Sequence, residues 1–434
     1  MTISFFAGSF CIPRVSACLG TFATALVLAA PASAATDIEV WHVLQGAHKA
    51  EFEKLVKQFN HEQSDVSVSL KSFDTQEDLR ASGDKAKTRP NLVQLADNHS
   101  PEVVADNKQI LPMYQLLASY PIKDLAWFLP QTTSFVRDGK ERLLAFPFMA
   151  EVPVMFYNLD AYKKAGLDGT KPSRTWGDLQ GDLIKLRAAG LRCPYGTSQQ
   201  VMVHLENLAP INRKSYASAS NGLAAGKPDF QFDSLFMRHL SLMVSWKRSL
   251  LFTQHTDGNE ASAMFAKGEC GIVTAGSGAL GDMLANKKLK FGVAPLPYYD
   301  QVAKEAGSPF VSGSALWAVA GHSKAEDKAT AAFLAFLSKP VVAAQWHQAT
   351  GFLPLTQSAF KASDVSFYDR IPGAQQLIAS MRNTPQTTSR GFRLAHYSSV
   401  EPLLSQGFDD AMSGQKPPVQ VLNEVKARSS QLMR

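Results

Sequence analysis

Polar and apolar residues alternate through "TDIEVWHV", from Thr36 to Val43, and a period of two predicts a strand. Helical spacing follows in "AHKAEFEKLVKQFNHEQ", where Phe52, Leu55, Val56 and Phe59 share one face. "VSVSLKSF" alternates again, and "NLVQLAD" is a short apolar run ending in an acid. Strand, helix, strand, helix, strand predicts a parallel sheet flanked by helices. Ligands of such sheets bind beyond the carboxyl ends of the strands. His42, Phe73 and Asp97 sit at or just past three such ends.

A second α/β region opens at "VPVMFYN", with a lone carboxylate, Glu151, just before it. It continues with a helix over "TWGDLQGDLIKLRAAG", the strand-like "CPYGT" and the long helical run "SLFMRHLSLMVSWKRSLL". "ASAMFAKGECGIVTAGSGAL" reads as helix, strand, glycine-containing turn, helix. "FGVAPLPYYD" is extended and broken by proline, "VSGSALWAVAG" is a strand, and "KATAAFLAFLSK" is a helix. The pattern predicts two α/β lobes without fixing which strands belong to which.

At 434 residues, with 45% hydrophobic and 19% charged, the chain is long enough for two such units. Its first 34 residues are a separate matter. "VSACLGTFATALVLAAPASAA" is apolar, follows Arg14 and ends in Ala32-Ser33-Ala34, the form of a secretory signal peptide cleaved after Ala34. A lipoprotein signal at Cys18 fits less well, because the apolar run follows the cysteine instead of preceding it. The expected mature chain is exported to the periplasm. Its net charge falls from +6 to +5, since the leader holds Arg14 and no acid. That mild excess, interspersed with acids, makes no nucleic-acid surface. Two cysteines remain, Cys193 and Cys270. An oxidising compartment permits a bridge between them, and two free thiols are the alternative. No Cys/His spacing resembles a metal site, and no cofactor motif appears.

Catalytic signatures are missing. "GSGAL" around Ser277 lacks the spacing of a nucleophile elbow, and phosphate loops and H-E-x-x-H are absent. Paired carboxylates such as Asp97, Glu151 and Glu401 would suit a secreted glycan hydrolase, without a local signature to support it. The same acids, with Trp41, Trp317 and Phe352, would equally suit a concave binding site for a sugar or polyol. Trp41 and Trp317 lie within strand-like runs and would also serve as core.

A resemblance favours binding. "EVWHVLQG", "FPFMAEVPVMFYNLDAYKKAGLD", "TWGDL", "VHLEN", "GSGALGDM", "FGVAPLPYYD", "GSALWAVAG", "QWHQATGFLPLT" and "GFRLAHY" occur in one order. That order resembles the extracellular solute-binding proteins, family 1, of ABC importers, over nearly all of the chain from about Thr36 onward. The resemblance implies a two-lobed periplasmic-binding-protein fold of type II, with a ligand cleft between lobes joined by hinge segments. The implied division is 35–149 with 295–336, and 150–294 with 337–434. Crossings are expected near Phe148–Glu151, Phe291–Pro297 and Phe336–Pro340. It also implies a monomer that captures a small solute and hands it to permease subunits; a sensor would use the same fold.

Compared with the members that bind glycerol 3-phosphate, the resemblance implies Gly313 as a shared site residue. Asp97 stands for a Glu, Phe352 for a Tyr, Thr75 or a neighbour for another Tyr, Glu151 and Gly276 for two Ser, and Glu401 for an Arg. Arg393 is shared but is not the residue expected on the phosphate. Trp41, His42, Ser277 and Trp317 complete the expected set. Glu in place of Arg reverses the charge that a phosphate needs. A neutral polyol, a sugar or an amine-bearing solute suits these residues better.

Overall fold

In the computed structural model the described residues are 35–85, 89–97, 99, 101–123, 125–129, 135–255, 258–381 and 387–433. The leader and its cleavage site lie outside them. Among the described residues no helix is long and apolar enough to cross a membrane.

Among the described residues ten strands form two sheets. In the first, β1 (Thr36–His42) runs parallel to β2 (Val66–Ser72) and β3 (Leu92–Ala96). This is the parallel sheet that the amino-terminal alternation predicts. β10 (Ser312–Val319) then inserts antiparallel between β3 and β4 (Ile110–Leu111), and β5 (Phe146–Glu151) pairs with β10. Helix Gly46–Glu62 buries Phe52, Leu55, Val56 and Phe59, the face its spacing predicts.

The second sheet has the order β7 (Cys193–Thr197), β8 (Cys270–Gly276), β6 (Pro153–Asn158), β9 (Phe291–Pro295). All six residues of β6 are buried. Val154 and Phe156 join the core that continues into the first sheet, whereas Met155 and Tyr157 join the helices on the far face. A strand covered on both sides reads as a continuous apolar run, and "PVMFYN" is one. Thr175 in "TWGDL" accepts a hydrogen bond from the Asp178 N–H and starts helix Trp176–Ala188. Ser323 and Glu326 close a capping box on helix Lys324–Leu337.

The chain passes from the first sheet to the second at Val152, between β5 and β6, and returns between β9 and β10. This first crossing follows directly on Phe148–Glu151, which is itself the end of β5, with Gly313 opposite Ala150. Phe336–Pro340 joins two helices that both pack on helix Gly46–Glu62. Trp346, on the second of them, stacks on Phe148 at 4.6 Å. The chain is back at the second sheet by Pro372, whose carbonyl accepts the Val293 N–H. Cys193 and Cys270 face each other on adjacent parallel strands and are disulfide-bonded, with Cα atoms 4.6 Å apart.

Candidate functional site

Asp97 leaves the end of β3. Its N–H donates to the Gly313 carbonyl at 2.8 Å, tying the loop to the start of β10. Gly313 has φ +116°, and a Cβ there would sit 2.2 Å from the Met149 carbonyl oxygen, so only glycine fits. Asp97 Oδ1 accepts the His99 N–H at 2.8 Å. His99 itself is left-handed, with φ +51°. Its ring stacks on Phe392 at 3.8 Å and meets the edge of Tyr397. A residue from the first sheet's loop is thereby wedged into the second unit.

The opposite wall begins where β7 ends, at Thr197. Gln199 accepts the Gly276 N–H at 2.8 Å and donates to Glu151 Oε1 at 3.2 Å. Glu151 Oε2 accepts the Gly278 N–H at 3.1 Å. A π-helical turn, Met202–Glu206, then presents Glu206, which accepts the Tyr397 hydroxyl at 2.5 Å; such turns gather at functional sites. Helix Tyr397–Ser413 supplies Glu401, Ser405 and Asp409, spaced by four and hence on one face. Gln200 bridges this helix through Ser405 and Asp409.

These groups surround a cavity of about 380 Å³. Its lining includes five carboxylates, Asp97, Glu151, Glu206, Glu401 and Asp409, with His99 and His255. No Lys or Arg is among the described residues that line it, and no Phe, Tyr or Trp. Burial dominates the electrostatics. It raises Asp97 well above the usual carboxylate range, aided by repulsion from Glu206 and Glu401. Burial, then Glu401, pushes Glu206 up to about 8. Burial raises Glu151, against the bonds from Gln199 and Gly278. Glu401 is open to water at the rim but crowded by protein, and that partial desolvation raises it too. Burial lowers His99 to about 3. Asp97 Oδ2 and His99 Nδ1 lie 3.2 Å apart, and burial favours the uncharged form of each.

Four expected site residues meet here: Asp97, Glu151, Gly313 and Glu401. Gly276 and Phe352 stand just behind. Gly276 donates its N–H to Gln199, and the Phe352 ring lies against Gly278. Ser277 is buried with its N–H on the Val152 carbonyl. The rest fall elsewhere. Trp41 packs on Phe73 and donates Nε1–H to Glu39. His42 is buried, accepts the Leu44 N–H, and is lowered to about 4 by burial. Trp317 is core, paired opposite Val93. Thr75 is an exposed turn residue that accepts the Asp78 N–H. Arg393 donates to the Arg137 carbonyl. His99, Thr197, Gln199, Gln200, Glu206, His255, Ser405 and Asp409 were not expected. Only the i, i+4, i+8 stripe of Glu401, Ser405 and Asp409 had a readable spacing.

Two mixed α/β sheets linked by repeated crossings, with a polar cavity lined by residues from both, are the architecture of a periplasmic binding protein. Residues 54–373 match the family model described as bacterial extracellular solute-binding protein. The chain is 32% identical over 431 residues to the sn-glycerol-3-phosphate-binding periplasmic protein UgpB of Yersinia enterocolitica, covering 97% of each chain. It is 32% identical over 421 residues to the protein of that name from Escherichia coli O1:K1, covering 95% of this chain and 96% of that one. Among solved structures, UgpB from Mycobacterium tuberculosis in complex with glycerophosphocholine superposes with a TM-score of 0.72 at 18% identity, covering 92% of this chain and 98% of that one. Maltose-bound MalE3 of T. maritima gives 0.73 at 18% identity, covering 92% and 100%. The chain belongs to the bacterial extracellular solute-binding proteins. It is the periplasmic, non-catalytic solute-binding component of an ABC importer.

Proposed function

We propose that this chain captures a small hydroxylated solute carrying an amine. The observation that carries the reading is the cavity wall, with five carboxylates and no Lys or Arg among its described residues. An ammonium group within hydrogen-bonding reach of Glu206, Asp97 or Glu401 would relieve the burial and repulsion that hold their protons on. A phosphate dianion would do the reverse. Two like charges about 4 Å apart repel by about 4 kcal/mol at an effective dielectric near 20, about a thousandfold in affinity. The curated relatives are named for glycerol 3-phosphate, and this wall does not suit that anion. A quaternary ammonium prefers an aromatic cage, which the described lining residues do not make, so a primary amine with hydroxyl groups fits better. A second reading, a neutral sugar or polyol, is favoured by the raised Asp97 and Glu206 carboxyls, which would donate to its oxygens.

The crossings at Val152, between β9 and β10, and before Pro372 are the hinges on this reading. The two sheets with their helices are the lobes that close on the solute, and the monomer then docks on permease subunits. The test is calorimetric titration with glucosamine, ethanolamine, inositol, glycerol 3-phosphate and glycerophosphocholine. The expected result is binding of an amine, weakened at least tenfold in Glu151→Ala and in Glu401→Ala. Submicromolar binding of glycerol 3-phosphate that Glu401→Arg leaves unchanged would refute it.

A further inference from the structure

Behind the cavity wall a chain of buried side chains crosses the second unit from β7 to the segment after β9. Thr274 Oγ1 donates to Thr197 Oγ1 at 3.0 Å. Tyr195 Oη lies 2.6 Å from Thr274 Oγ1 and 3.1 Å from His204 Nε2. His204 Nδ1 lies 2.8 Å from His239 Nε2, and His239 Nδ1 lies 3.0 Å from Tyr299 Oη. Thr274, His204, His239 and Tyr195 are fully buried, and Tyr299 and Thr197 nearly so.

We propose that this chain is a one-way hydrogen-bond relay that makes Thr197 a specificity-determining donor in the cavity wall. The direction follows from counting protons. A hydroxyl has one proton to give. Thr274 gives its proton to Thr197, so it must accept from Tyr195. Tyr195, having donated, must accept from His204, whose proton is therefore on Nε2. His204 Nδ1 is then bare and accepts from His239 Nε2–H. His239 Nδ1 is bare in turn and accepts from Tyr299. Each link leaves no buried donor without an acceptor, and the reverse direction would strand the Tyr299 proton. Burial lowers His239 to about 3 and His204 well below its ordinary value, so both imidazoles are neutral as the relay requires.

The end of the relay is what matters for recognition. Thr197 receives a proton from Thr274, so its own is not used within the chain. Among the described residues it finds the Thr274 and Ser198 carbonyls, at 3.4 and 3.5 Å. Thr197 lines the cavity, and a solute oxygen placed against it would receive that proton on better terms. The wall then offers an oxygen-seeking donor opposite the carboxylates, which selects a solute bearing a hydroxyl or ether oxygen alongside its amine. This last step rests on the solute reading above; the relay itself does not.

Nitrogen-15 spectra of histidine-labelled protein test the relay directly, because protonated and bare ring nitrogens are resolved. At pH 7 both His204 and His239 are expected neutral with the proton on Nε2. Thr197→Val removes the final acceptor, so a fraction of Nδ1–H tautomer should appear at both rings, whereas Thr197→Ser should keep the native pattern. A proton on Nδ1 of either ring in the native protein, an imidazolium, or a Val variant with unchanged tautomers would overturn the relay. In a thermal-shift screen of glucosamine, ethanolamine, inositol and glycerophosphocholine, any solute that stabilises the protein should lose at least tenfold affinity in Thr197→Val and little in Thr197→Ser. Equal affinity in the Val variant would overturn the donor role. Failure of every solute would count against the solute reading, with the tautomers still deciding the relay.

Discussion

Replacing Glu206 by Gln should stabilise the protein above about pH 4.5, and increasingly up to about pH 8. Glu206 is buried, accepts the Tyr397 hydroxyl, and has its carboxyl pushed from 4.5 to about 8. A carboxyl raised on folding holds its proton more tightly in the folded chain. Folding is therefore unpenalised below about pH 4.5, and stability falls as pH climbs from there to about 8. At about 1.36 kcal/mol per unit, the full penalty is about 5 kcal/mol above pH 8, and about 3 kcal/mol at pH 7. Gln cannot ionise, matches the shape, and still offers an oxygen to Tyr397. The assay is urea denaturation of the native protein and Glu206→Gln at pH 4.5, 7 and 8. The difference should be near zero at pH 4.5 and reach several kcal/mol at pH 8, in favour of Gln. A difference that does not change with pH, or a Gln variant less stable at pH 8, would refute the reasoning. The same variant should bind an amine more weakly, a sign that the buried acid is retained for its ligand at the expense of stability.

Removing the disulfide by Cys193→Ala and Cys270→Ala opens a loop of 77 residues. A chain-entropy estimate puts the loss at up to about 4.5 kcal/mol, read as a lower denaturation midpoint, and titration of the denatured mature protein should find neither thiol free. Gly313→Ala forces a Cβ onto the Met149 carbonyl in a left-handed backbone; the expected loss is about 1–3 kcal/mol, with solute binding lost because the Gly313 carbonyl holds Asp97. Binding of a cationic solute should expel protons from the raised Asp97 and Glu206 carboxyls, so affinity should rise from pH 5 to 8. Calorimetry in two buffers of different ionisation enthalpy should report net proton release at pH 7.

Local patterns along the chain were enough for the elements. β1 and helix Gly46–Glu62 follow from alternation and spacing because such periods mark a face turned to a neighbouring layer, and the run "PVMFYN" was legible as the opening of a second α/β region, though its burial on both sides is a tertiary finding. Glu151 stood out as a charge at the mouth of that run, and the structure finds it holding Gly278 and Gln199. The two tryptophans show where such reasoning stops. Trp41 and Trp317 carry the same aromatic chemistry as a sugar platform, yet both are buried beside β3. A period of two says that a strand has two faces and does not say which one meets the cavity. Glu401, Ser405 and Asp409 formed a visible stripe, but its direction depended on how helix Tyr397–Ser413 packs on the rest of its unit. His99, Gln199 and Glu206 could not be picked out beforehand, since each gains its role from partners scattered from 97 to 397 in the chain. The cavity's charge balance was a tertiary decision as well. Lys and Arg outnumber the acids overall, 44 to 38, and only the three-dimensional path of the chain turns five carboxylates inward with no Lys or Arg among the described lining residues, because burial without a counter-charge is tolerable where protons, or a bound cation, can supply one.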